Sequence, residues 1–379
     1  MKNIKMNNKP FLSIIIPTYN RAIYLGNLLS CIAPQVKESG LVQICISNNS
    51  STDNTREVIM NFIEKYPGLI VYNENERNLG FDRNMFKVIK MAQGDFTWFL
   101  CDDDLVVENG IEKVIYFIKN NCGENIGFMT LATRSYFIDK KTGKQVTYSD
   151  TIEKDKPKVY KMDKKDIIGQ CFPASVFTST MLFNNNFLKK ILEEEKTIIE
   201  KALEAKEYIQ TFLYRLMFLK YPNLEALRFN EEIINEEAHR YKFYIEDIFQ
   251  LHYITWTKLC DLLLSSKYMN DYYRKIVIDD KRGTTKTVII EMGLMKSFEA
   301  FNYSSFLGCI KMFFQEAPFR LALLFSAFFV FFSIIPSAVL RNLYKIFIKI
   351  RHKEKWQKLW LYITVKNSEM SKGSRRLYD

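Results

Sequence analysis

Residues 11–104 alternate between short apolar runs, each closed by a polar cluster, and helical repeats, and this pattern narrows the fold more than any other feature. Phe11–Pro17 (FLSIIIP) is apolar and rich in β-branched residues, as expected of a strand buried on both faces of a parallel sheet. Val42–Ser47, Leu69–Tyr72 and Phe96–Leu100 (FTWFL) repeat the theme. Helical patterns lie between them, through Leu25, Leu28, Leu29 and Ile32, through Val58, Ile59, Phe62 and Ile63, and over Asp82–Met91. Strand and helix in turn predict an open α/β sheet with ligands bound beyond the carboxyl ends of its strands. The clusters Thr18–Arg21, Asn48–Asp53 and Asp102–Asp104 all fall at that edge.

After about residue 127 the pattern predicts shorter strands, long polar loops such as Asp139–Lys165, and long helices over Phe187–Lys220 and Tyr241–Leu264. The chain of 379 residues is 47% hydrophobic and 15% aromatic, which excludes wholesale disorder. The net charge of +11 raises the question of a nucleic-acid partner, and its placement answers it. Residues 341–379 hold eleven Lys and Arg against three acids, so residues 1–340 carry only +3. A near-neutral body offers no basic groove, and no nucleic acid is expected. Seven scattered cysteines without a C-x-x-C pair read as free thiols in a reducing compartment. Met1–Pro10 has no apolar signal core, so a cytoplasmic location is expected.

Cys101-Asp102-Asp103-Asp104 is the sharpest chemical feature. Three aspartates delivered by an apolar strand repel one another unless a cation joins them, and hard oxygen donors suit Mg²⁺ or Mn²⁺. Such an ion would make a diphosphate a better leaving group. The plainer alternative is an exposed turn capping a helix that begins near Val107. Ser47–Thr55 (SNNSSTDNT) reads equally well as a helix cap.

Taken in order, Pro17–Arg21 (PTYNR), Ser47–Thr55, Arg77–Gly80 (RNLG) with Asn84, and Asp102–Asp104 resemble the nucleotide-sugar-dependent glycosyltransferases of family 2. The likeness is good over residues 11–135 and loose to about 240, and extends to members that add sugars such as abequose to O-antigen units. It implies a GT-A fold, a Rossmann-like mixed sheet flanked by helices, and inversion at the anomeric carbon. It also implies a nucleotide site at Pro17, Tyr19, Asn20, Arg21, Asn48, Asp53, Asn78, Gly80, Asn84 and Asp102. The metal would sit on Asp103 and Asp104, with Asp102 as an alternate and His239 completing its shell.

Two departures from the family pattern matter. Asn48 stands where the family often has an aspartate reading uracil N3–H. An amide can accept that proton or donate to cytosine N3, so UDP is the default and CDP or dTDP are alternatives. Cys101 stands where the first acid of the family's run falls. The proton of the acceptor hydroxyl needs a base. Glu207 has the right order for it, whereas Glu246-Asp247 has the letters but follows His239.

Leu321–Leu340 is twenty residues without a charge, bounded by Arg320 and Arg341. A single span would hold the basic tail inside and the catalytic region outside, away from nucleotide sugars. A re-entrant or interfacial anchor on anionic lipid at the cytoplasmic face is therefore expected, with Pro336 breaking the run; the plainer alternative is a buried helical hairpin or a dimer interface. The expected organisation is a catalytic domain over 1–240 (nucleotide half 11–125, acceptor half 126–240), a helical extension over 241–317, and a membrane-associating region over 318–379. The expected activity is metal-assisted transfer of a single sugar to a lipid-linked cell-surface glycan. Its rivals are an inactive membrane-bound scaffold and a nucleotidyltransferase, though the Gly-rich loop expected of the latter is absent from the sequence.

Overall fold

The computed structural model describes residues 9–138, 145–169, 178–205, 208–237, 249–297, 306–340 and 342–343. The four expected strands form: β1 (Leu12–Thr18), β2 (Val42–Asn48), β3 (Ile70–Glu74) and β4 (Phe96–Phe99). They are parallel neighbours in the order β3-β2-β1-β4, with Leu12 opposite both Val42 and Phe96. Every residue of β1 and β2 is buried, which explains their unbroken apolar sequence; β3, at the edge, is half-exposed. Gly94 lets β4 start hard against β1, since a Cβ there would lie 2.8 Å from the Ser13 nitrogen. Its own N–H donates to Ser13 Oγ.

Helices α1 (Ala22–Ser39), α2 (Thr55–Lys65), α3 (Phe81–Met91) and α4 (Gly110–Asn121) flank this sheet. The first carries the pattern on past Ile32 and runs through Pro34. It buries Leu25, Leu28, Leu29, Ile32, Ala33 and Val36 and stops at the left-handed Gly40. Asp104–Val106 is a short strand, β5, so α4 begins three residues later than Val107.

The second half departs further from expectation. Two of its strands, β6 (Ile126–Ile138) and β10 (Glu225–Glu237), are the longest among the described residues. Between them come β7 (Gln145–Asp150), β8 (Val159–Lys161), α5 (Lys164–Gly169) and β9 (Met181–Asn184). The sheet continues β4-β9-β6-β10-β5, with β9 antiparallel to both β4 and β6. The predicted helix over 187–220 is three: α6 (Asn185–Glu194), α7 (Lys196–Glu204) and α8 (Ile209–Lys220). The first break is at Glu195, which Lys220 Nζ meets at 2.8 Å and the Tyr268 hydroxyl also reaches. Helix α8 is buried on all sides from Ile209 to Leu219.

Two compact units result. One comprises Met1–Arg134, Asp150–Glu237 and Leu262–Val277, and its core joins the sheet to α1 and α4. The other comprises Ser135–Ser149, Ala238–Asp261 and Ile278–Asp379. Its helical elements come from a π-helical turn at Phe249–Thr255, α9 (Trp256–Leu264) as far as Asp261, α10 (Asp271–Ser297) from Ile278 onward, α11 (Phe306–Glu316) and α12 (Phe319–Ile334). Its core is aromatic: Phe249 and Phe313 both pack edge-on, ring centroids 4.6 Å apart, beside Phe325 and Phe329. Among the described residues no helix is long and apolar enough to cross a membrane.

Candidate active site

The loops after β1 and β2 are clasped together at the carboxyl edge. Asn20, held at a positive φ of 53°, accepts the Thr52 N–H at 2.7 Å and donates its own N–H to Ser51 Oγ. The Arg21 N–H donates to Thr55 Oγ1. Asp53 then caps two helices at once, its carboxylate accepting the Ala22 N–H of α1 and the Thr55 N–H of α2. Burial works against this carboxylate's charge, but the Thr55 and Ala22 hydrogen bonds outweigh it and hold the pKa below the ordinary aspartate value. The charge also suits two helix N-termini. Asn48 is wholly buried and inward-bonded: Oδ1 accepts the Ser51 N–H and hydroxyl, and Nδ2 donates to the Tyr72 hydroxyl.

Behind these loops lies a lattice of amides. Asn49 Oδ1 accepts from Asn75 Nδ2 and the Leu79 N–H, while its Nδ2 donates to Asn78 Oδ1 at 2.7 Å. Asn84 Oδ1 accepts from the Ser47 hydroxyl and Asn75 Nδ2, and its Nδ2 donates to the Ser47 carbonyl. Asn73 joins through Ser47 and Asn75. Gly80, at φ 81°, completes the turn into α3, its N–H on Asn78 Oδ1. A satisfied network of this kind fixes loop geometry.

The acidic turn after β4 is held from a distant part of the chain. Ser179, in the short helical turn Thr178–Thr180, accepts the Cys101 N–H at 2.8 Å, and its hydroxyl donates to the Asp104 carboxylate. Its carbonyl takes the Trp98 indole N–H. The ligand atoms of Cys101, Asp103 and Asp104 lie within 4.8 Å of one another. Arg21 supplies positive charge from the β1 loop, Nη1 at 2.6 Å from Asp103 and Nε 3.8 Å from Asp102, with its guanidinium 5.5 Å from the Tyr24 ring centre. Burial lifts Asp102 to about 7 despite Arg21. Burial, then Asp104 and Asp103, push the Cys101 thiol well above its ordinary pKa. Two carboxylates suit a hard divalent cation such as Mg²⁺ or Mn²⁺, and a bound cation would relieve the carboxylate repulsion that adds to burial in raising the thiol's pKa.

Pro17, Tyr19, Asn20, Arg21, Asn48, Asp53 and Asp102–Asp104 thus gather at one sheet edge, as the sequence predicts, with Asn78, Gly80 and Asn84 joined to them through the amide lattice. Asn48, Asp53 and Asn84 spend the side-chain bonds described above on the protein itself. His239, Glu207 and Glu246-Asp247 lie outside the described residues. Sequence reasoning missed Ser179, Asn49, Asn73 and Asn75. The density of asparagine between residues 48 and 84 is a signal for the amides, whereas Ser179 acts across 75 residues and no local motif marks it.

Residues 13–177 match Glycosyl transferase family 2. Over 100 residues, 26% of this chain and 30% of the relative, the sequence is 41% identical to the abequosyltransferase RfbV of Salmonella typhimurium. It is 26% identical to a GalNAc(5)-diNAcBac-PP-undecaprenol beta-1,3-glucosyltransferase of Campylobacter jejuni, covering 52% of this chain and 62% of that one. The chain therefore spans less than two thirds of either relative. Among solved structures, S. aureus TarS in complex with UDP-GlcNAc aligns over 94% of this chain and 90% of its own, with a TM-score of 0.53 at 13% identity. A Pyrobaculum calidifontis mannosyltransferase in complex with GDP-Man and Mn²⁺ aligns over 97% and 90%, with a TM-score of 0.51 at 10% identity. At these identities the likeness concerns the fold, a GT-A-like mixed sheet with flanking helices. The match to glycosyl transferase family 2 extends over residues 13–177, less than half of the chain.

Proposed function

We propose that the protein transfers a single sugar from a nucleotide diphosphate sugar to a lipid-linked glycan, with inversion. The observation that carries this reading is the acidic turn, set beside the clasped β1 and β2 loops at the carboxyl edge of parallel strands. Structural neighbours hold UDP-GlcNAc or GDP-Man with Mn²⁺ on the same fold, and a relative is named for a polyprenol-diphosphate acceptor. Asp103 and Asp104 would hold Mn²⁺ or Mg²⁺, and His239 would complete that shell. The ion, when bound, supplies positive charge to the diphosphate leaving group. Arg21 adds a second cation to the same leaving group, released from Asp103 by the change in local charge.

The acceptor oxygen forms its bond to the anomeric carbon as the bond to the diphosphate oxygen breaks, and a carboxylate takes the hydroxyl proton; Glu207 is the proposed base. Pro17, Tyr19 and Asn20 line the nucleoside side. Asn48, Asp53, Asn78, Gly80 and Asn84 act by holding the loops in shape. A second reading, a catalytically inactive scaffold, is favoured by the thiol of Cys101 within the acidic cluster.

Thermal-shift measurements with UDP, CDP, GDP and dTDP in Mn²⁺ select the base, and hydrolysis of the matching sugar nucleotide follows. Metal-dependent hydrolysis that Asp103→Ala abolishes supports the transferase. Nucleotide binding without turnover of any donor supports the scaffold, and stabilisation by none of the nucleotides overturns the donor site.

A further inference from the structure

We propose that the solvent-facing side of α12 docks on an anionic lipid surface. The helix has two apolar faces, and among the described residues one is buried and the other exposed. Ala322, Phe325, Phe329 and Phe332 are buried in the aromatic core of their unit. On the opposite side Phe319, Leu323, Leu324, Val330, Phe331 and Ile334 are exposed, Phe319 to 69% and Ile334 to 75%. At about 100° per residue these six fall within an arc of about 140°, diametrically opposed to the buried stripe. A contiguous apolar strip of this size marks an interaction surface.

The length and the flanking charge choose the partner. Sixteen residues rise about 24 Å, short of the roughly 30 Å hydrocarbon core, and the helix stops before Pro336. A helix lying along the interface is the fit, with its six apolar side chains below the headgroups. Arg320 stands exposed at one end, and the sequence just beyond the other end carries the net +8 of residues 341–379. Pairing two copies through this strip would place like charges beside each other in either orientation. Anionic headgroups neutralise both ends. None of the donor-site residues lies on this helix.

The test is sedimentation of the full chain with phosphatidylcholine vesicles, with and without phosphatidylglycerol. Binding to the anionic vesicles is expected, and the triple variant Leu323→Glu/Val330→Glu/Phe331→Glu, with the basic segment intact, should bind at least about tenfold more weakly. All three positions are exposed, so its circular dichroism and melting should match wild type. Wild type that stays in the supernatant overturns the proposal. So does a variant that binds as well as wild type, which would leave the basic segment alone responsible. A lipid-independent dimer that the same variant dissociates assigns the face to a second copy instead, also overturning it. Donor binding, measured on the same variant, should be unchanged, so failure here is separable from failure of the proposed transferase activity.

Discussion

Replacing Asn84 by alanine separates a residue that shapes the donor site from one that touches the donor. Asn84 is 2% exposed and makes three side-chain hydrogen bonds, to the Ser47 hydroxyl at 2.7 Å, to Asn75 Nδ2 at 2.8 Å and to the Ser47 carbonyl at 3.0 Å. At about 1 kcal/mol net for each, their loss costs about 3 kcal/mol. Alanine returns roughly 0.5 kcal/mol of helix propensity within α3, leaving about 2.5 kcal/mol. For a domain of this size that is a fall in Tm of about 5–10 °C. Urea and thermal unfolding measure it, and a cycle with Ser47→Ala should return about 1 kcal/mol of coupling because the two residues share a contact. Nucleotide affinity in the surviving folded protein should weaken only modestly. A Tm change below about 2 °C, coupled with strongly weakened nucleotide binding, refutes the reasoning and makes Asn84 a direct ligand.

Asp53→Ala uncaps α1 and α2 together and should cost about 1–3 kcal/mol, whereas Asp53→Asn, which keeps an acceptor, should recover at least half; equal losses in chemical denaturation would contradict the double cap. Lys220→Met removes the lysine that bridges Glu194 and Glu195, leaving Glu195 with Lys267 at 3.8 Å, and should lower stability by about 1–3 kcal/mol. Burial opposes the charge of Glu195, but Lys220 and Tyr268 hold its pKa below the ordinary glutamate value of 4.5. A depressed carboxylate pKa contributes stability above the unfolded value and loses it as pH falls through the folded one. Wild-type stability should therefore decline as pH falls below about 4.5, and Lys220→Met should show a shallower decline; identical acid limbs would exclude the clasp.

Local patterns carried the parallel half of the fold. In β1 and β2 the demand for burial on both faces leaves a continuous apolar run, and the polar residues that end each run are the ones gathered at the sheet edge. Features set by distant partners were not legible. Phe187–Lys220 has a continuous helical pattern, yet Glu195 breaks it because Lys220 and Tyr268 hold its carboxylate from elsewhere in the chain. Resemblance placed Asn48 and Asp53 at the nucleotide site, but residue type alone cannot say whether an amide or a carboxylate turns toward a ligand or into its own loop. The hydrogen bonds decide that, and for these two residues they turn inward.

The anchoring of the acidic turn by Ser179 bears on how the chain can be divided. A fragment ending at Arg134 keeps every residue of the P-T-Y-N-R, S-N-N-S-S-T-D-N-T and D-D-D segments and all four parallel strands. It also loses the acceptor for the Trp98 indole, the partner of the Cys101 N–H and the hydroxyl on Asp104, along with β9 that backs β4. The acidic turn can therefore close only after synthesis has passed residue 184, and such long-range closure slows folding. The nucleotide half is a unit of sequence resemblance, but the site it carries is completed by the half that follows.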